Sequence, residues 1–172
     1  MPNTYTQLLT HLVFAVNNRQ SLILEPVRDR IEKYICSIAS HKKHKPLAIY
    51  IMPDHLHYLI GLNPNQSISD LVKEMKNSSN TFINDNHLTK QKFSWQESYG
   101  AFSYSKSALN NVVKYILNQQ DHHKKQTFKE EYIKFLQNLK SIMILNIFLN
   151  FMINSNEVKN RNEQENNLWQ KK

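Results

Sequence analysis

The sequence predicts an α+β protein of ferredoxin-like, split βαβ layout, with an antiparallel sheet carrying helices on one face and a further helix after the last strand. Two observations predict it. Short apolar runs alternate with longer stretches whose apolar residues recur at helical spacing, in the order β-α-β-β-α-β. Between the second and third strands stands only Pro53-Asp54, which leaves room for a tight turn and none for a crossover helix. Such a sheet keeps one face open for a ligand, and the layout by itself does not decide function.

The elements follow in order. "TYTQLLTHLVFAVNN" (4–18) ends in an apolar, partly β-branched run and reads as the first strand. "LEPVRDRIEKYICSIASHKK" (24–43) carries Val27, Ile31, Tyr34, Ile35 and Ile38 at helical spacing, with Pro26 in its first turn, and reads as an amphipathic helix. "PLAIYIMP" (46–53) and "HLHYLIGL" (55–62) read as strands two and three. "SISDLVKEMKNSSNTFINDN" (67–86) opens on a capping pattern, Ser67 followed by Asp70, and continues a stripe through Ile68, Leu71, Val72, Met75, Phe82 and Ile83. A fourth strand lies within the aromatic segment "FSWQESYGAFSYS" (93–105), and "SALNNVVKYILNQQDHH" (107–123) reads as one helix with Ser107 as its N-cap.

Composition narrows the partners. The 172 residues suffice for one domain with its own core, and 40% hydrophobic content is too low for a membrane protein. The longest apolar run, 142–153, is too short to span a bilayer and is interrupted by Asn146 and Asn150. No signal-peptide pattern opens the chain, and a single cysteine, Cys36, allows no internal disulfide, so the expected compartment is the cytoplasm. Lys plus Arg number 22 against 14 Asp plus Glu, a net charge of +8, which suits a polyanion such as nucleic acid. The cations cluster in "HKKHK" (41–45) and "HHKK" (122–125), each of which alone reads as a solvated turn or helix end. Two glycines in the whole chain exclude the Gly-rich loops that cradle nucleotide phosphates.

Two features carry chemistry. In "PDHLHYLI" (53–60) His55 and His57 are two apart on a strand, so they share one face. Two imidazoles side by side make either a hydrogen-bonded pair or half of a metal site. On the helix 107–123, Leu109, Val112, Val113 and Ile116 form the core-facing arc, whereas Tyr115 lies outside it beside Asn111, Gln119 and His122. Tyr115 and Gln119, four apart, share a face. In isolation this is an exposed tyrosine on a polar helix face.

Taken together, "PDHLHYLI", "WQESYGAFSYS" and "VVKYILNQQ" resemble the single-tyrosine transposases of small bacterial insertion sequences, members of the HUH (His-hydrophobic-His) endonucleases that include the REP-associated tyrosine transposases. The resemblance covers roughly residues 4–137. It implies that the last helix is catalytic, that His55 and His57 are metal ligands, that Tyr115 is the nucleophile and that Gln119 is the third ligand. It implies a divalent metal cofactor, Mg²⁺ or Mn²⁺, with N and O ligation suiting Mn²⁺. The activity implied is cleavage and rejoining of single-stranded DNA through a 5′-phosphotyrosine, with hairpin ends as the recognised DNA and a homodimer as the assembly. Lys42, Lys43, Lys45, Lys124 and Lys125 are the candidate DNA-backbone contacts. His11, His44, His87, His122 and His123 read as structural or solvent-exposed, and Trp95 and Tyr99 as core residues in preference to base-stacking ones. Ser98 departs from the glycine relatives carry there, which touches loop geometry but no catalytic position.

The resemblance divides the chain into a catalytic domain, 1–138, and an atypical end, 139–172. Richness in Lys, Asn and Ile there suggests AT-rich coding, and a shifted frame of such codons can encode an acidic, tyrosine-rich ending like that of the family. A frameshift near codon 139 is one reading. The other is an amphipathic helix over 139–153 followed by a polar, disordered tail over 155–172. Two further functions share the same features: a domesticated nuclease that cuts palindromic repeats, and a ferredoxin-like nucleic-acid-binding module without catalysis. The last would not require His55, His57, Tyr115 and Gln119 together.

Overall fold

Alternation of apolar and polar side chains along two of the strands dictates a sheet with two distinct faces, and the computed structural model, which describes residues 5–123 and 128–138, contains one. The elements are β1 (Leu9–Ala15), α1 (Glu25–His41), β2 (Lys45–Met52), β3 (His55–Gly61), α2 (Ile68–Asp85), β4 (Gly100–Tyr104), α3 (Leu109–Leu117), α4 (Gln119–His123) and α5 (Phe128–Asn138). The sheet order is β2-β3-β1-β4, with every neighbouring pair antiparallel, as the split βαβ reading requires. The chain divides into two units, residues 1–121 and 122–172. Within the described part of the second, α5 carries Glu130 and Glu131 in its first turn, where the helix dipole favours acids. Residues 139–172, and with them both readings of the chain's end, lie outside the described residues.

One sheet face is fully apolar. Leu12, Phe14 and Val16 from the β1 segment, Leu56, Tyr58 and Ile60 from β3, and Ile51 from β2 bury against Ile31, Ile35 and Ala39 of α1 and Leu71, Val72, Met75 and Ile83 of α2. Tyr34 and Phe82 stack across the two helices with ring centroids 4.0 Å apart. The opposite face is partly covered by α3, where Ala48 and Leu59 bury against Val112 and Ile116. The expected open face therefore carries a helix over β2 and β3, while on the β1 side His11 lies among Val13, Ala15 and Phe102.

The glycine shortage shows at the helix ends. Ser67 caps α2 as expected, its hydroxyl accepting from the Asp70 N–H at 3.1 Å. Both long helices then finish in a 6→1, 5→2 hydrogen-bond pattern that usually recruits glycine at the left-handed position. In α1 the His44 N–H reaches the Ala39 carbonyl and the Lys43 N–H that of Ser40, at 3.0 and 2.9 Å. In α2 Leu88 and His87 do the same to Ile83 and Asn84, at 3.0 and 3.1 Å. Lys43 (φ 62°) and His87 (φ 50°) occupy the left-handed positions.

The fourth strand lies within the expected segment, while two expectations just after it need correction. Pairing with β1 is confined to Gly100–Tyr104, apart from an isolated bridge between Val16 and Trp95. The stretch before it is shaped by side chains of α2 instead. The Asn84 amide exchanges hydrogen bonds with the Phe93 backbone at 2.8 and 2.9 Å, Asn80 accepts from the Trp95 N–H at 3.2 Å, and Lys76 Nζ donates to the carbonyls of Gln96, Glu97 and Ser98 at 2.8, 3.0 and 2.9 Å. Ser98 is not among the described residues with positive φ, so it stands there without backbone strain. The helix expected over 107–123 is interrupted at Asn118 (φ −97°, ψ 19°) and resumes as α4. The apolar stripe that holds α3 on the sheet ends with Ile116, Leu117 is already exposed, and Gln119 buries again only after the turn at Asn118. Ser107 is not the cap: it lies in a single 3-10 turn, Lys106–Ala108, with its hydroxyl 2.8 Å from that of Ser105.

Candidate active site

On the face opposite α1 and α2, strand alternation places His11 on β1 and His55 and His57 on β3, because Leu12, Leu56 and Tyr58 take the other side. All three histidines are buried, at 1% exposure or less. The antiparallel register sets Val13 opposite His57 and Ala15 opposite His55, so His11 meets His57 diagonally. Their rings stack, and His11 Nε2 lies 3.0 Å from His57 Nδ1. Burial lowers the His11 pKa to about 3, which keeps that imidazole neutral. The sequence reading set His11 aside as structural or exposed. Its only sequence signal is a polar residue on the alternate face of an otherwise apolar strand.

His55 is held from the other end. Its Nδ1 lies 2.6 Å from Asp54 Oδ1, while Asp54 Oδ2 accepts from both Nε and a terminal nitrogen of Arg19. Two backbone bonds fix the turn that carries Asp54, from Val16 N–H to its carbonyl at 2.8 Å and from Ile23 N–H to Pro53 at 3.0 Å. Burial alone would raise the Asp54 pKa, but hydrogen bonding and charge from His55, joined by the Arg19 guanidinium, hold it at about 2. Neither Asp54 nor Arg19 was singled out from sequence. The folded value lies below the ordinary 3.8, so this group stabilises the fold fully above about pH 4 and ceases to as pH falls through 2. Asp54→Asn is expected to cost about 2 kcal/mol at neutral pH, a gap that narrows steadily toward pH 2. Urea unfolding of both proteins across that range checks it, and a pH-independent gap would show that the carboxylate charge is not the cause.

Tyr115 joins the same cluster within one chain. Its ring stands edge-on to His57 with centroids 6.0 Å apart and to His11 at 6.2 Å, and it packs partly against the cluster formed by Ala48, Leu59, Val112 and Ile116. Gln119 is buried, and its side-chain nitrogen donates back to the Tyr115 carbonyl at 3.4 Å. The break at Asn118 therefore keeps Gln119 next to Tyr115 in a different way from a continuous helix. A ring nitrogen of His55 and one of His57 lie within 4.8 Å of each other. This donor set, two buried neutral-capable imidazoles whose Nδ1 atoms both meet hydrogen-bonding partners, fits a divalent ion of the Mn²⁺ or Mg²⁺ kind bound through Nε2.

The basic candidates lie elsewhere. Lys42, Lys43 and Lys45 sit at the α1–β2 connection, and Lys45 pairs with Gly61 at the far end of β3 from His55, six residues or roughly 20 Å along the strand. Lys42 is engaged by Glu74 at 3.1 Å. Lys43 and Lys45 are exposed, and Lys124 and Lys125 lie outside the described residues. His44 is buried and structural, accepting from the Asn63 N–H at 2.9 Å and facing Gln66 Oε1 at 2.8 Å, and His87 is exposed. Trp95 is a core residue, edge-on to Phe14 and Phe93 with its indole N–H on Ser79 at 2.8 Å. Tyr99, expected in the core, is instead 37% exposed beside the Lys76 ammonium. Among the described residues no helix is long and apolar enough to cross a membrane.

Comparison with known proteins gives the family and the fold. ISDra2 transposase TnpA of Deinococcus radiodurans is 29% identical over 120 residues, spanning 67% of this chain and 86% of the relative. A crystal structure from Deinococcus radiodurans described as that of a transposase superposes with a TM-score of 0.55 at 29% identity, over 69% of this chain and 95% of that one. The structure of a REP-associated tyrosine transposase bound to a REP hairpin shares the fold, with a TM-score of 0.53 at 17% identity over 72% and 73% of the two chains. The family model described as "Transposase IS200 like" matches residues 4–119, well over half of the chain, and the protein therefore belongs to the IS200-like transposase family.

Proposed function

We propose that this transposase cleaves and rejoins single-stranded DNA through Tyr115, with His55 and His57 as metal ligands and Gln119 as the third. The observation that carries the reading is the position of the Tyr115 ring, 6.0 Å from that of His57 in the same chain. A free phenol, with a pKa near 10, attacks a phosphodiester slowly, so the phosphate must be activated where the phenol stands. When bound, a divalent ion would supply that activation by polarising the phosphoryl group and stabilising charge on the leaving oxygen. Tyr115 then forms its Oη–P bond as the P–O3′ bond breaks; the phenol proton departs and the 3′ oxygen gains one. The product is a 5′-phosphotyrosine and a free 3′-hydroxyl. Because the covalent link conserves the phosphoester, attack by a second 3′-hydroxyl rejoins DNA without a nucleotide cofactor.

The buried Phe102 and half-buried Tyr104 rings beside His11 would limit water at the imidazoles, which would favour strand transfer over hydrolysis. The catalytic domain is proposed to span residues 1–138 and to act as a homodimer on hairpin-ended DNA, with Lys43 and Lys45 on the backbone away from the cut. The experiment is incubation of the protein with labelled single strands from the gene's own flanks, with Mn²⁺ or Mg²⁺, followed by denaturing electrophoresis. A protein–DNA adduct that survives denaturation and is lost with chelator is the expected result. Tight hairpin binding that ignores chelator, with no adduct, would instead leave a binding module.

A further inference from the structure

We infer that the two histidines are held as Nε2 metal ligands by two different positioning groups, the Arg19–Asp54 ion pair behind His55 and the His11 imidazole behind His57. This rests on the metal-dependent reading above and adds residues to it. A neutral imidazole has one N–H and one lone pair, and a hydrogen bond at one nitrogen decides where each lies. Asp54 is a pure acceptor, so His55 must place its proton on Nδ1, 2.6 Å from Asp54 Oδ1, which leaves the lone pair on Nε2. For His57 to offer the same atom, its Nδ1–H donates to His11 Nε2 across 3.0 Å, and His11 then carries its own proton on Nδ1.

The backbone around Arg19 supports the assignment. Asn18 and Arg19 both have positive φ, 53° and 56°, a conformation that costs non-glycine residues energy and that persists only where the surroundings enforce it. In this turn Arg19 reaches Asp54 Oδ2 through two nitrogens, while Oδ1 stays on His55. The carboxylate is thus divided between the guanidinium and the imidazole, which fixes its plane and the plane of the ring beyond it. The Nδ1 of His57 faces a buried neutral ring, that of His11.

The test uses the full chain, first without metal. Long-range ¹⁵N–¹H correlations at mildly alkaline pH should show both His55 and His57 as Nδ1–H tautomers, and an Nε2–H tautomer at either ring overturns the inference without any variant. Mn²⁺ binding is then followed by the loss of the free-ion electron spin resonance signal. Asp54→Asn should weaken Mn²⁺ about 10- to 100-fold, Arg19→Gln less, with circular dichroism unchanged. His11→Phe should release the His57 tautomer and weaken Mn²⁺, whereas His11→Gln, which keeps an acceptor, should restore both. Variants that bind Mn²⁺ as tightly as the parent, with tautomers unaltered, defeat the inference. A parent protein that shows the Nδ1–H tautomers yet binds no Mn²⁺ defeats the metal reading and leaves the positioning assignment standing.

Discussion

Tyr115→Phe is expected to abolish the covalent protein–DNA adduct and to lower strand cleavage by about 10⁴-fold or more, the scale seen when an enzyme loses its nucleophile. The substitution removes one oxygen and keeps the ring. The edge-on contacts to His57 and His11, at 6.0 and 6.2 Å between centroids, survive in phenylalanine, as does packing beside Val112 and Ile116. Folding stability should therefore change by less than about 1 kcal/mol, and Mn²⁺ and hairpin binding should persist. The combination is diagnostic: chemistry lost while binding and fold remain. Residual adduct at the parent rate would place the nucleophile elsewhere, and loss of fold would make Tyr115 a packing residue.

Lys76→Met is expected to destabilise the protein by about 3 kcal/mol, the largest single cost foreseen outside the apolar core. Lys76 is 7% exposed and its ammonium donates to three consecutive carbonyls at 2.8–3.0 Å, using all three of its N–H groups. The same charge lies 5.0 Å from the Phe14 ring centroid and 5.6 Å from that of Tyr99. Methionine fills the volume but leaves the three carbonyls to water or to nothing. The clamped residues, 96–98, lead directly into β4, whose Phe102 and Tyr104 rings flank His11 at 6.2 Å each. The substitution should thus also slow adduct formation modestly. Urea unfolding measures the first effect, and a loss below about 1 kcal/mol would mean that the loop holds its shape without the ammonium.

Local signals fixed which segments became helices and strands. Period-two and period-3.6 apolar patterns are written into single stretches, so α1, α2 and the three longer strands lie where those patterns run. The ends of α1 and α2 were read to within two residues, although Lys43 and His87 stand where a glycine would have marked the stop. The fourth strand was legible only as lying somewhere within 93–105. Phe93 and Trp95 have strand-like side chains, but their backbone N–H groups go to the side-chain amides of Asn84 and Asn80, 9 and 15 residues back on α2.

The candidate site divides the same way. His55 and His57 were legible because strand alternation alone puts residues two apart on one face, and Tyr115 because it breaks the apolar arc of its own helix. That these groups meet was implied by a resemblance and is a matter of tertiary structure, since only the fold brings the Tyr115 ring to that of His57. His11, Asp54 and Arg19 had no local mark to distinguish them. A histidine on a buried strand, an aspartate in a turn and an arginine after a strand are each ordinary in isolation. What makes them parts of one site is the antiparallel register between β1 and β3 and a left-handed turn after β1, both decided by contacts between residues more than thirty positions apart. The chain's own sequence settled its family and the kinds of side chain its chemistry can use. The sheet settled which of them touch, because hydrogen-bond partners are chosen by register and face, and neither is written in any single segment.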